Sequence, residues 1–332
     1  MMIVLLGFLF GVFIMLSELN KFDTISGMAI LNDLRIAKAL LVAIGIGIIL
    51  IFFEVKLNVA SYHLKPFNLG GVVIGGILFG VGMAILGYCP GTLIISAGEG
   101  SLDAMIGIVG GLVGGLVFTL LLPFVKIFIG PHFGKISIFT LLGNNTTFTF
   151  LVSLVISLFM IYSAFLLNKK DENKSMDWFY AGLLLGLLNP IIFLKFVQNR
   201  PIGASTAYPY IIDRLLGLTS NPYFLKIQKP GEWEVLFLLG AFVAGFTFSI
   251  LRRKFELKLI QPRWEKYKGN LPLKRIFYAF VGGFILIFGA RLAGGCTSGH
   301  ILSGGMQLSI SSIVFAVFVF LSLVITGRIF YR

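Results

Sequence analysis

The chain has 332 residues, 57% of them hydrophobic and 12% charged, with a formal net charge of +13. Soluble domains carry roughly 25% charged residues, about twice this share, so the composition excludes an ordinary soluble enzyme domain. The basic residues lie in short stretches between apolar runs rather than on a folded polar face, so they do not indicate nucleic acid.

In chain order the apolar runs predict nine membrane spans, at about 3–19, 37–54, 69–88, 103–125, 149–167, 178–197, 235–251, 276–295 and 310–327. Runs of this length cross a hydrocarbon core of about 30 Å at 1.5 Å rise per residue. The first run lacks a basic n-region and a small-residue cleavage site, and it reads as a retained span rather than a signal peptide. The segment 252–275 holds Arg252, Arg253, Lys254, Lys258, Arg263, Lys266, Lys268, Lys274 and Arg275 against Glu256 and Glu265. By the positive-inside rule it is cytoplasmic. Counting outward from it, 20–36 and 168–177 (with Lys169, Lys170 and Lys174) are inside, and 55–68, 126–148 and 199–234 are outside. The N-terminus is then outside, and the C-terminus, with Arg328 and Arg332, is cytoplasmic. The expected fold is an all-α polytopic protein of the inner (plasma) membrane, with the lipid bilayer as its surroundings.

The chain repeats itself. At an offset of 207, Gly75-Gly76 falls on Gly282-Gly283, Gly82 on Gly289, Gly87 on Gly294 and Cys89 on Cys296. After the cysteines a one-residue slip places Gly91 on Gly299, Thr92 on His300 and Ser101 on Ser309. A weaker echo at offset 179 pairs Asn20-Lys21 with Asn199-Arg200, Ser26 with Ser205 and Arg35 with Arg214. Five spans separate the starts of the strong repeat, so the copies enter from opposite sides. Inverted repeats of this kind place a substrate site near the midplane between their halves. The halves are drawn at 1–168 and 169–332, with the basic loop 252–275 in the second.

Three stretches, 90–100, 201–216 and 297–308, are too short or too polar to cross and too apolar to lie free in water. Irregular backbone at membrane depth is tolerated where protein or a water-filled cavity satisfies it. A half-helix starting after Cys89-Pro-Gly91 or Cys296-Thr-Ser298-Gly299 aims free N–H groups at the pathway, where Thr92 and His300 add donors. The alternative is that these glycines serve close packing, as Gly107, Gly111 and Gly115 do in a small-xxx-small face. Cys89 and Cys296, the only cysteines, read either as paired pathway thiols or as a duplicated packing residue. A disulfide between them is not required. Two thiols and three scattered histidines form no compact ligand set, so no metal or other cofactor is expected.

Arg291 interrupts a span, where it needs a cavity, an anion or a salt-bridge partner. Arg200 ends a span within Asn199-Arg-Pro-Ile-Gly-Ala-Ser205-Thr206. Glu99 and Asp103 suit the start of the following helix, and His63 and His132 read as loop residues. There is no P-loop, G-x-S-x-G, HExxH or catalytic carboxylate pair, which argues against ATP-driven transport by this chain and against an enzyme.

The motifs Gly87-Tyr-Cys-Pro-Gly-Thr92, Gly294-Gly-Cys-Thr-Ser-Gly-His300 and Arg200-Pro-Ile-Gly-Ala-Ser-Thr206 resemble the signatures of the YeeE/YedE sulfur-transport family, across both halves. That resemblance implies an hourglass-shaped inner-membrane protein with inward-pointing half-helices. It also implies import of thiosulfate or a related sulfur anion, passed between thiols by weak S–H hydrogen bonds. Cys89 and Cys296 match the motif cysteines. The thiosulfate-importing members also carry a cysteine near the N-terminus, and here Asp23 stands at roughly that place, where a carboxylate would repel a dianion; the alternative is that Asp23 caps the short helix that follows. A second reading is a membrane subunit that relays sulfur or selenium to a cytoplasmic sulfurtransferase-like or redox partner; a purely structural subunit is the third.

Overall fold

The computed structural model describes residues 1–143, 146–171 and 175–332. Lys174 and the side chain of Lys170, two of the groups used to orient the chain, lie outside these. Fourteen α-helices follow in order among the described residues: α1 (Met2–Leu16), α2 (Phe22–Ala29), α3 (Arg35–Lys56), α4 (Leu69–Leu86), α5 (Pro90–Gly98), α6 (Leu102–Ile129), α7 (Ile138–Leu141), α8 (Thr146–Lys170), α9 (Asp177–Phe193), α10 (Ala207–Leu215), α11 (Pro222–Leu251), α12 (Pro262–Lys268), α13 (Pro272–Ala293) and α14 (Ile310–Phe330). A π-helix, Ser298–Gly304, stands between α13 and α14. Helices fall on all nine expected spans; seven are long and apolar enough to cross a membrane, and α1 and α9 are shorter apolar helices. The largest boundary difference is α11, which starts at Pro222 rather than at about 235. Its first turns carry Lys226, Lys229, Glu232 and Glu234, which depress hydropathy without breaking the helix.

Glycine contacts reveal the symmetry. A Cβ at Gly75 would meet the Gly289 carbonyl at 2.7 Å, and one at Gly82 would meet the Gly282 carbonyl at 2.9 Å. Because Gly75 corresponds to Gly282 and Gly82 to Gly289, each residue touches the copy of its partner. That exchange is the mark of a two-fold axis between antiparallel neighbours. The flanking helices obey the same operation: Gly283 packs on the Gly107 carbonyl of α6 and Gly76 on the Phe315 carbonyl of α14, with Gly107 and Phe315 at an offset of 208.

The operation extends to helices that a constant offset does not match. Gly7 and Gly11 of α1 press on Phe237 and Ala241 of α11, while Gly182 and Gly186 of α9 press on Ala39 and Ala43 of α3. These pairs register at offsets of 175 for α1 with α9 and 198 for α3 with α11. Each of these contacts joins a helix of one half to a helix of the other, so the two halves form one interlocked core.

Where α4 and α13 end, the two copies turn alike. Gly87 and Gly294 adopt φ of +79° and +78°, the left-handed C-cap that a side chain resists. Cys89 then takes an extended conformation (φ −103°, ψ 165°) as N-cap of α5, with Pro90 at the first helical position. In the second copy one extra residue stands between the cysteine and the glycine, and the chain absorbs it as the π-helix. A one-residue insertion into an α-helix is what widens it to π geometry.

The end of α4 is sealed by Arg275, from the first turn of α13. Its Nη2 donates to the Leu86 carbonyl at 2.8 Å and to Asp103 Oδ2 at 2.6 Å. Both side chains are fully buried, and Phe22 and Trp264 cover the guanidinium with ring centroids 4.6 and 4.7 Å away. Arg275, which the basic stretch 252–275 places in a loop, is an interior residue instead, and Asp103 begins α6 as expected. Glu99 instead ends α5 and pairs with Lys21 at 2.8 Å.

The α4–α13 contact leaves no room for a side chain, since a Cβ at Gly82 would stand 2.5 Å from the Leu286 nitrogen. Gly82→Ala is expected to cost about 1–3 kcal/mol by overpacking. Thermal unfolding of the detergent-solubilised protein checks this; an unchanged midpoint would show that the seam can part.

Candidate functional site

Both thiols sit where a broken helix exposes backbone. The Thr92 hydroxyl takes the Cys89 N–H at 3.0 Å and lies 3.2 Å from the Cys89 sulfur. Cys296 Sγ lies 3.2 Å from Ser298 Oγ and is 1% exposed, while Cys89 is half-buried. Thr297 is within hydrogen-bonding reach of the Cys89 thiol, and the two thiols stand close enough to act on each other electrostatically. The structure therefore gathers Cys89, Thr92, Cys296 and Ser298 into one layer. Gly91 and Gly299 leave space beside it: a Cβ at either would find its nearest neighbour only at 3.5 and 3.7 Å.

Two cations, Lys65 and Arg291, lie within electrostatic reach of Cys296 in this layer, and a third, Arg200, within reach of Lys65. Arg291 donates through Nε to the Tyr223 hydroxyl at 2.7 Å, and through Nη1 to Ser205 Oγ at 3.2 Å and Thr206 Oγ1 at 2.9 Å. Arg200 stacks over Trp233 with its centre 4.0 Å from the ring centroid and lies 3.8 Å from Glu234 Oε1. Lys65 was not singled out in the sequence. It reaches in from the loop before α4, donates to the Gly294 carbonyl at 3.1 Å, and is within electrostatic reach of Arg200, Arg291, Glu234 and Cys296. Burial lowers its pKa and Glu234 opposes the shift. Its signal in the sequence is slight: between α3 and α4 it is the one lysine, beside His63.

The one acid among these groups is largely spoken for. Glu234 Oε2 accepts the Thr206 N–H at 2.6 Å and the Ala207 N–H at 3.3 Å, capping α10 from a neighbouring helix. Three positive groups against one engaged carboxylate leave an excess that favours an anion.

Two expected members have their side chains engaged by other groups. His300 is fully buried; its Nε2 lies 3.0 Å from the Ala293 carbonyl and its Nδ1 3.1 Å from Ser312 Oγ. Facing a carbonyl, Nε2 must carry the proton, so Nδ1 accepts from the hydroxyl and no ring nitrogen is left to donate to a pathway. Asp23 lies in the first turn of α2, where its Oδ1 accepts the Arg263 N–H at 3.0 Å in the first turn of α12.

A cavity of about 340 Å³ adjoins the layer. Cys89, Gly91, Thr92, Thr297 and Ser298 line one end, and apolar side chains such as Phe10, Ile25, Met28 and Leu40 line the rest. The three cations are not on its wall.

The sequence matches the family described as sulphur transport over residues 17–325. This chain belongs to the sulphur-transport family. Within the sulphur-transport family it is 24% identical over 329 residues to the thiosulfate transporter TsuA of Spirochaeta thermophila, covering 95% of this chain and 94% of that protein. It is also 24% identical over 297 residues to the thiosulfate transporter TsuA of Escherichia coli, covering 82% of this chain and 78% of that one.

Proposed function

We propose that this protein imports thiosulfate across the inner membrane, with its N-terminus outside, its C-terminus in the cytoplasm and its repeat halves at 1–168 and 169–332. The observation that carries the reading is the juxtaposition of Lys65 and Arg291, with Arg200 next to Lys65, to a layer holding both thiols of the chain. Thiosulfate presents sulfonate oxygens to charged donors and a soft terminal sulfur to a thiol, so the two ends of the ion fit the two parts of the site. The α5 amides beside Cys89 add positive potential at the same place. With the basic loop 252–275 inside, Lys65 and Arg200 face outward, toward the incoming ion. The family membership and the names of the two relatives agree with this substrate. The site has no nucleophile–base pair, and the protein acts as a transporter rather than an enzyme.

Liposomes containing only this chain test the proposal. Saturable uptake of labelled thiosulfate is expected; background uptake would favour a relay to a cytoplasmic sulfurtransferase-like partner instead. Lys65→Gln removes one charge-assisted contact and is expected to raise KM by roughly tenfold, with turnover little changed. An unaltered KM would remove Lys65 from the binding site.

A further inference from the structure

The cavity beside the thiols has a twin. A second apolar cavity, of about 220 Å³, lies between α5, α6, α10 and α11. Its wall residues Val235, Leu238, Leu239 and Phe242 register at offset 198 with Ala37, Leu40, Leu41 and Ile44 of the first cavity. Ile108 and Leu112 register with Ala316 and Phe320 at offset 208. Each void therefore belongs to the repeat; the smaller flanks α5, and the larger flanks the Cys296–Ser298 turn and also meets the start of α5. A pair of voids fixed by the scaffold's symmetry is poorly explained as a binding pocket for one ligand.

The two broken helices differ. The first is a regular α-helix pinned at both ends: Tyr208 donates to the Pro90 carbonyl at 2.9 Å, and Ser96 to the Asn20 carbonyl at 2.7 Å. The second holds the surplus residue between Cys296 and Gly299. It starts after Gly294 and Gly295, with nothing within 4 Å of where a Gly294 Cβ would stand, and it faces the larger void with Thr297 and Ser298. Beyond them His300 is tied to Ala293 and Ser312, and Ser303 to Asn189.

We propose that the Cys296–Ser298 turn is the moving part of the transport cycle, driven by migration of the surplus residue away from the fixed His300. When the π-turn relaxes to α geometry, the extra residue passes toward the glycine hinge. One residue of helix rotation is roughly 100°, which carries Cys296, Thr297 and Ser298 toward the adjoining void. The α5 copy lacks the surplus residue and stays fixed, presenting Cys89 as the stationary thiol. This mechanism rests on the transport reading above, but its key test does not need transport.

In a Cys89→Ser background Cys296 is the only thiol, and at 1% exposure it reacts with N-ethylmaleimide only when the turn moves. Deleting Thr297 restores the spacing of the first copy, and Ala316→Leu fills the void without touching the thiols. Either change is expected to slow labelling at least tenfold. In the native-cysteine protein each should lower turnover of thiosulfate by a similar factor while leaving KM within about twofold. Ile108→Phe, the register-matched change in the twin void, should do neither. Native labelling rates in both folded variants, or equal losses from Ala316→Leu and Ile108→Phe, would overturn the proposal. If the deletion does not insert, Ala316→Leu decides alone. Slowed labelling without any thiosulfate uptake by the native chain would sustain the moving turn and reject the substrate.

Discussion

Replacing Cys89 or Cys296 by Ser is expected to reduce thiosulfate uptake by about tenfold or more, a loss of at least ~1.4 kcal/mol at the limiting step. Serine nearly preserves volume, so the fold should survive. It does not preserve the chemistry. A thiol is a weak donor and a polarizable acceptor, suited to holding a soft sulfur briefly. A hydroxyl at 89 would bond Thr92, and one at 296 would bond Ser298, more tightly than sulfur does at 3.2 Å in each case. The substituted side chain would then be engaged by its neighbour instead of the ion. Uptake into liposomes, with insertion verified in parallel, measures this; normal rates in both single variants would reduce the cysteines to packing residues.

The largest loss of stability is expected from Asp103→Asn. Arg275 has no exposed surface and its guanidinium lies 2.6 Å from this carboxylate. Removing the negative partner leaves a buried charge, which costs about 3–5 kcal/mol. The Tyr88 hydroxyl and the Gln261 amide, 3.2 Å from the same carboxylate, lose a charged acceptor as well. Thermal unfolding in detergent should fall well below that of the native protein, and a shift no larger than that of an exposed Asp→Asn control would show that the pair adds little.

Much of the architecture was readable because membrane helices announce themselves by hydropathy and glycine spacing. The α4/α13 repeat stood out at offset 207 since its glycines face each other across the two-fold seam and tolerate no replacement. The α1/α9 and α3/α11 copies were hidden. Loops of different length shift their offsets to 175 and 198, and only the contacts of Gly7, Gly11, Gly182 and Gly186 bring them into register. Among the motif residues, the cysteines, Thr92 and Ser298 lie in one layer, Arg291 bonds Ser205 beside it, and Arg200 lies next to Lys65. Lys65 was missed because a lone loop lysine has no periodicity to reveal where it points. His300 and Asp23 were drawn toward the pathway by motif position, whereas the partners that occupy them, Ala293, Ser312 and Arg263, are set by packing that no local pattern encodes.

The duplicated frame is even in shape and uneven in charge. Arg275 donates to the last carbonyls of α4, and at the matching end of α13 Lys65 donates to Gly294. Beside Arg275 stands Asp103; its counterpart at offset 208 is Ser311, a neutral hydroxyl bonded to the Lys65 carbonyl. One end of the repeat therefore has its cation cancelled and roofed by aromatic rings, while the other keeps Lys65 beside two arginines and the one engaged carboxylate of Glu234. Inverted halves built from the same mould would, if electrically identical, attract an anion equally from either face. On the pathway proposed above, a single acid present in one copy and missing from the other would give the molecule a front and a back.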